Sequence, residues 1–242
     1  MRIDIYLAEC GIASSRTEAK KFIIDGAVTI DGITVTKPSY DVSGNYDKIE
    51  VDKSSYKYVS RGGIKLERAI DSFKVDCLGR LCIDIGASSG GFTDCLLQNG
   101  AKHVIAVDAG TAQLVEKLAK DNRVTVMENY NARYILSEDL EYSPDLAVMD
   151  VSFISATYIM KPLADCLEEG ADFICLIKPQ FEVGREGLGK GGIVKNDKVR
   201  DAAVMRVIDY AKNVGFDYLG VIESPIKGGD GNVEFLAHFK KK

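Results

Sequence analysis

The chain has 242 residues, 46% hydrophobic and 28% charged, with a formal net charge of −5. A chain of this size and composition can bury a sizeable core; it holds no apolar run near the roughly eighteen residues of a membrane helix, and the N-terminal MRIDIYLAEC has acids where a secretion signal has an apolar centre, so a cytoplasmic location is expected. Six cysteines without a CxxC pair and only two histidines, His103 and His238, speak against a metal site and a His-based triad.

In chain order, Ser15-Arg-Thr-Glu18 reads as a capping box opening a helix that Gly26 stops. Ala19, Phe22 and Ile23 form its apolar stripe. AVTIDGITV then predicts a hairpin, with Val28 and Ile30 before an Asp31-Gly32 turn and Ile33 and Val35 after it, and KIEV (48–51) closes the small sheet. RIDIYL, GIASSRTEAKKFIIDGAVTIDG and TVTKPS together resemble the S4 RNA-binding domain. The resemblance implies an RNA-binding unit over residues 1–55, with Arg16, Lys20, Lys21 and Lys37 toward RNA. Acidic residues outnumber basic ones in this segment, so binding has to rest on shape and a few placed charges. The bland alternative is a solvated helix face. KSSYKYVSR (53–61) is polar without an apolar period, which predicts a linker over 56–61, with Arg61 a further RNA contact.

From residue 62 the pattern changes. LCIDIG (81–86), HVIAVD (103–108), VTVME (124–128), DLAVMD (145–150) and DFICLIK (172–178) are apolar runs separated by helix-like stretches, as in a parallel sheet covered on both faces. FDYLGVIES (216–224) and NVEFLAHF (232–239) flank a short loop and read as an antiparallel pair. The expected fold over 62–242 is therefore a Rossmann-like α/β domain, a seven-stranded sheet with an antiparallel last strand.

Asp84-Ile-Gly86-Ala-Ser88-Ser-Gly90-Gly91-Phe92 joins the first of these strands to a helix. Its G-x-x-x-G-G spacing is neither a dinucleotide fingerprint nor a P-loop. Asp108 ends the next strand, where an acid can bind a ribose diol, and ENYNAR (128–133), with Asn131, follows the third. Together they resemble the S-adenosyl-L-methionine pocket of a class I methyltransferase. In that reading Asp84, Gly86, Ser88, Gly90, Gly91 and Phe92 hold the methionine part, Asp108 the ribose, and Asn131 edges the adenine. A plain strand-to-helix turn capped by Asp84 is the alternative.

Two of the apolar runs end on a charge, Asp150 and Lys178, and Pro179 keeps Lys178 extended. Glu234 lies near the start of the last strand, at the same sheet edge, and Lys65 falls on the buried side of the helix in SRGGIKLERAIDSF, whose stripe is Leu66, Ala69, Ile70 and Phe73. Buried charges need partners, and two lysines with two carboxylates neutralise each other.

SRGGIKLERA, DIGASSGGFTD, MDVSFIS, KPQFEVGR, GKGGIV and GNVEF resemble the TlyA (haemolysin A) family, an S4 domain followed by an FtsJ-like methyltransferase domain. The resemblance implies methyl transfer from S-adenosyl-L-methionine to a cytidine ribose 2′-OH of ribosomal RNA on the ribosomal subunit. It implies 23S rRNA first, with 16S rRNA a further target in longer members; this chain starts almost directly at RIDIYL, which favours the large subunit alone. The family's Lys-Asp-Lys-Glu tetrad falls on Lys65, Asp150, Lys178 and Glu234: Lys178 as base, Asp150 orienting it, Lys65 and Glu234 placing the ribose. The loop Asp150-Val-Ser-Phe153 departs from the Asn/Asp-Pro-Pro-Tyr-like loop of base-amine methyltransferases, and no cysteine beside it suits a covalent pyrimidine mechanism. GLGKGG (187–192) is expected to be mobile, with Lys190 near RNA phosphate. A non-catalytic RNA-binding protein and a haemolytic pore-former are the competing readings.

Overall fold

The computed structural model describes all residues except 14, 25, 43–47, 53–56 and 229–230. They form two compact units, Met1–Lys57 and Tyr58–Lys242.

In the first unit, Ser15 Oγ accepts the Glu18 N–H at 3.1 Å and starts α2 (Arg16–Ile24), which follows α1 (Ile3–Glu9). Gly26, at φ +74°, turns the chain out of α2. Ile3 and Leu7 meet Ala19, Phe22 and Ile23 over the inner face of the sheet. That sheet is antiparallel, with β1 (Val28–Ile30) between β2 (Ile33–Val35) and β3 (Ile49–Val51). Asp31 and Gly32 both take positive φ, 49° and 81°, as a two-residue primed turn requires. Ile33 departs from the other apolar hairpin residues: beside the turn on an outer strand, it is 72% exposed. Asp4 is fully buried beneath the guanidinium groups of Arg2 and Arg16, each at 2.9 Å. Burial alone would push its carboxyl up; the two arginines outweigh that and hold it below its ordinary value.

The second unit contains β4 (Leu81–Ile85), β5 (His103–Val107), β6 (Val124–Met127), β7 (Leu146–Met149), β8 (Asp172–Ile177), β9 (Phe216–Glu223) and β10 (Phe235–Lys241). Among the described residues these form one sheet in the order β6-β5-β4-β7-β8-β10-β9. The first five pair in parallel, and β10 lies antiparallel between β8 and β9. Apolar clusters cover both faces. One gathers α6 (Thr157–Cys166) and α8 (Asp197–Asn213), the other α3 (Gly62–Phe73) and α4 (Gly91–Gln98). Every residue of β8 is buried, which explains its unbroken apolar run. The chain runs outward from β4 through β5 to β6, then crosses to β7 and on to β8. The direction changes between β4 and β7, and in such sheets ligands bind outside the carboxyl ends of the strands at that point.

Tyr58 to Arg61, within the stretch read as a linker, are built onto this second unit, while residue 56 lies outside the described residues. Tyr58 is buried and occupies the space a side chain at Gly63 would need; the Val59 N–H donates to Asp94 Oδ2 at 2.9 Å. Both histidines make structural contacts: His238 Nε2 lies 2.9 Å from Asp172 Oδ1, and His103 Nε2 lies 2.9 Å from Thr125 Oγ1. No helix among the described residues is long and apolar enough to cross a membrane.

Candidate active site

The turn leaving β4 is drawn tightly against its neighbours. The N–H groups of Gly86 and Ala87 donate to the Val107 carbonyl at 2.8 and 3.0 Å. Gly86 sits at φ +83°, and a Cβ there would come 2.4 Å from the Asp150 carbonyl oxygen, so only glycine fits. Asp108 is fixed by two amides: its Oδ2 accepts from Ser88 at 2.8 Å and its Oδ1 from Gly110 at 2.7 Å. A cavity of about 370 Å³ opens here, with Gly86, Ser88, Asp108, Asn131, Asp150 and Phe153 among its lining residues. That volume is in the range of small-molecule sites.

Four residues expected to touch a cofactor are not among those lining the cavity. Gly90, at φ +95°, lets Leu118 approach to 2.3 Å from where a Cβ would stand, and Gly91 does the same for Ser60 Oγ at 2.2 Å. Phe92 is buried in the core. These three seat α4. Asp84 lies fully buried beneath the turn; the Thr93 hydroxyl donates to its Oδ2 at 2.6 Å, and its Oδ1 is buried without a hydrogen-bond partner among the described residues. Burial pushes the Asp84 carboxyl up to about 7 against the Thr93 bond, with the charges of Asp150 and Asp108 adding to the rise. Just past β6, Glu128 accepts the N–H groups of Ala112, Gln113 and Leu114 at 2.5, 2.8 and 2.9 Å. Those bonds, the Leu114 amide foremost, hold its carboxyl below the ordinary value.

Lys178 stands at the end of β8 with extended backbone, φ −111° and ψ 97°, as the N-cap of the short α7 (Pro179–Glu182), whose first residue is the proline. Its Nζ lies 2.6 Å from Asp150 Oδ1 and donates to Ser152 Oγ at 2.7 Å. Asp150 and Ser152 also line the cavity, so they join it to the lysine. The second pair is tighter: Lys65 Nζ lies 2.5 Å from Glu234 Oε2, with side chains 10% and 3% exposed. Glu234 immediately precedes β10, where Phe235 opposes Ile177, so the register carries Glu234 toward Lys178 on the neighbouring strand. All four charges thus come to one sheet edge as two neutral pairs. Gly228 closes over Glu234, since a Cβ there would be 2.5 Å from Oε1. Buried Asn232 accepts the Val194 N–H at 3.0 Å and donates to the Gly192 carbonyl at 3.1 Å, pinning the end of the glycine-rich stretch 187–192.

Lys20, Lys21, Lys37, Arg61 and Lys190 are exposed. Arg16 is half exposed, and its pairing with Asp4 gives it a structural reason to be there. Sequence reasoning passed over Ser152 and, above all, Phe153. That ring is 91% exposed, its backbone is at φ +65°, rare for an aromatic residue, and it lies 5.3 Å from Phe181. A bulky apolar residue between two serines in a loop was the available signal.

Residues 58–241 match the FtsJ-like methyltransferase family, and residues 1–47 match the S4 domain. The 16S/23S rRNA (cytidine-2′-O)-methyltransferase TlyA of Mycobacterium tuberculosis is 42% identical over 97% of this chain and 88% of its own length. The chain belongs to the TlyA (haemolysin A) family. Within the TlyA family, YqxC of Bacillus subtilis, named as a candidate rRNA methyltransferase, is 45% identical over 98% of this chain and 84% of its own. A solved structure from Streptococcus thermophilus, described as a candidate hemolysin, superposes with a TM-score of 0.80 at 43% identity, covering 100% of this chain and 88% of that one. The chain is thus an FtsJ-like methyltransferase of the TlyA family with an S4 domain at its N-terminus.

Proposed function

We propose that this protein transfers a methyl group from S-adenosyl-L-methionine to the 2′-hydroxyl of a cytidine ribose in ribosomal RNA on the ribosomal subunit, 23S rRNA first. The observation that carries the reading is the junction of cavity and charges: Asp150 and Ser152 line the cavity and hold Lys178 at 2.6 and 2.7 Å. Methyl-accepting and methyl-donating partners can meet only where those two features touch.

The cavity suits the cofactor chemically. Asp108 and Asp150, just past the ends of β5 and β7, line it with carboxylates for a ligand that carries an ammonium and a sulfonium, and the unpartnered oxygen of Asp84 lies buried beneath the same turn. Asp108, its orientation set by two amides, would take the ribose diol, and Asn131 would edge the adenine. When bound, S-adenosyl-L-methionine supplies a methyl group on an electron-poor sulfur. The protein's own residues then do the rest. Lys178 would take the proton of the 2′-hydroxyl as that oxygen displaces sulfur from the methyl carbon, the C–S electron pair leaving with S-adenosyl-L-homocysteine; Asp150 and Ser152 would aim the amine, and Lys65 with Glu234 would place the ribose. Most of the acceleration is assigned to holding oxygen and methyl at attack distance. Phe153, exposed at the cavity mouth, offers a face on which an unstacked base can rest. Exposed Arg61 and Lys190, with the S4 cations Arg16, Lys20, Lys21 and Lys37, are assigned to RNA phosphate.

Ribose-methyl mapping of both rRNAs from cells with and without the gene tests the reading. One cytidine should lose its 2′-O-methyl when the gene is deleted; identical maps would refute the assignment, and a change confined to 16S would move the target. Cofactor affinity should depend on pH through Asp84. An ionised carboxylate attracts the cofactor's ammonium and a neutral one does not, so affinity measured by calorimetry should rise as pH passes about 7 and then level off. The stability contribution runs the other way, because the folded state keeps this proton up to about 7 while the unfolded chain releases it near 3.8, and stability falls between those values. Asp84→Asn should flatten both dependences.

A further inference from the structure

Glu182 is the last residue of α7, four positions after Lys178, and only 8% of it is exposed. A carboxylate is costly to bury without partners. Among the described residues no cation forms an ion pair with it. Instead its Oε1 accepts the Ala156 N–H at 2.8 Å and its Oε2 accepts the Ser155 hydroxyl at 2.6 Å. Ala156 is the N-cap of α6, so these bonds hold the far end of the loop 150–156, the same loop that presents Asp150, Ser152 and Phe153 to the cavity. The Glu182 carbonyl is itself held by Arg206 on α8 at 2.6 Å.

The segments after β7 and β8 are therefore stitched twice. One stitch is Lys178 with Asp150 and Ser152; the other is Glu182 with Ser155 and Ala156. During the reaction Lys178 also engages the ribose hydroxyl, so the first stitch is shared with the substrate. The second does not take part in proton transfer and stays closed. We propose that Glu182 is a positioning residue which keeps the Ser152–Phe153 loop in register with Lys178 while that lysine engages the substrate. The inference rests on the methyl-transfer reading for its effect on rate, but the latch itself is a property of the folded protein.

The full-length Glu182→Ala and Glu182→Gln variants test it, with Val207→Ala, a buried truncation on α8, as the control for stability. Hydrogen exchange reads the latch directly: amides of 151–156 should exchange about tenfold or more faster in Glu182→Ala, with protection regained in Glu182→Gln, whose amide can accept from Ala156 and donate to Ser155. Single-turnover methyl transfer to undermethylated ribosomal subunits reads the consequence. Glu182→Ala should be slower by about tenfold to a hundredfold, with cofactor affinity within about threefold of wild type, while Glu182→Gln recovers most of the rate. Unchanged exchange in Glu182→Ala would overturn the latch whether or not the wild type methylates the subunits. Faster exchange with an unchanged rate, or a loss matched by Val207→Ala, would overturn the positioning role. A wild type that methylates neither subunit would refute the functional reading, and exchange would still decide the latch.

Discussion

Lys178→Arg is expected to abolish methyl transfer while leaving the cofactor bound. Arginine keeps the positive charge and can keep the ion pair that Lys178 makes with Asp150 at 2.6 Å. What it cannot do is act as a neutral base, because a guanidinium does not lose its proton in proteins. The substitution therefore separates two jobs that alanine would remove together. If Lys178 serves only as a placed charge, arginine should retain most of the rate. If it takes the 2′-hydroxyl proton, the single-turnover rate should fall by about 10² to 10⁴, the usual span of a general base. A variant within tenfold of wild type would remove Lys178 from the role of base.

Much of the architecture was legible because it depends on local chemistry. Five of the six buried positions of β8, Phe173 to Ile177, write themselves as one apolar run, and the Asp31-Gly32 turn needs two residues that tolerate positive φ. The four charges could be picked out because each interrupts an apolar pattern, and the strand directions alone bring three of them to one edge. What stayed hidden depends on distances across the fold. Gly90 and Gly91 look like ligand-facing glycines in sequence, yet the neighbours that require them are Leu118 and Ser60, one of them well down the chain and the other upstream. The placing of Asp150 beside Lys178 was legible, but the direct contact within the other pair was not. Lys65 and Glu234 lie far apart in the chain and meet at 2.5 Å only through packing of α3 against β10. Phe153 and Glu182 sit in motifs that were recognised, but their importance lies in one being exposed and the other buried, and burial of a loop residue follows from tertiary contacts rather than from periodicity.

That pairing of Lys65 with Glu234 leads to the second large effect. Lys65→Met leaves Glu234, 3% exposed and covered by Gly228, without its counter-charge. Breaking a buried pair from one side typically costs about 3–5 kcal/mol, a large part of a domain's whole stability, so this variant should unfold at markedly lower urea concentration or fail to accumulate. Replacing both members behaves differently. The double variant Lys65→Met with Glu234→Met removes both desolvation penalties and keeps similar volume, and such exchanges are often neutral or stabilising by about 1–4 kcal/mol. It should regain the denaturation midpoint of the wild type. Its methyl transfer should remain lost by at least about a hundredfold, with cofactor affinity little changed, because the ribose would no longer be placed by this pair. A stable and inactive double variant would mean that the fold has no need of these two charges and the reaction does. An active one would return Lys65 and Glu234 to the status of a buried structural pair and leave Asp150 and Lys178 to carry the chemistry alone.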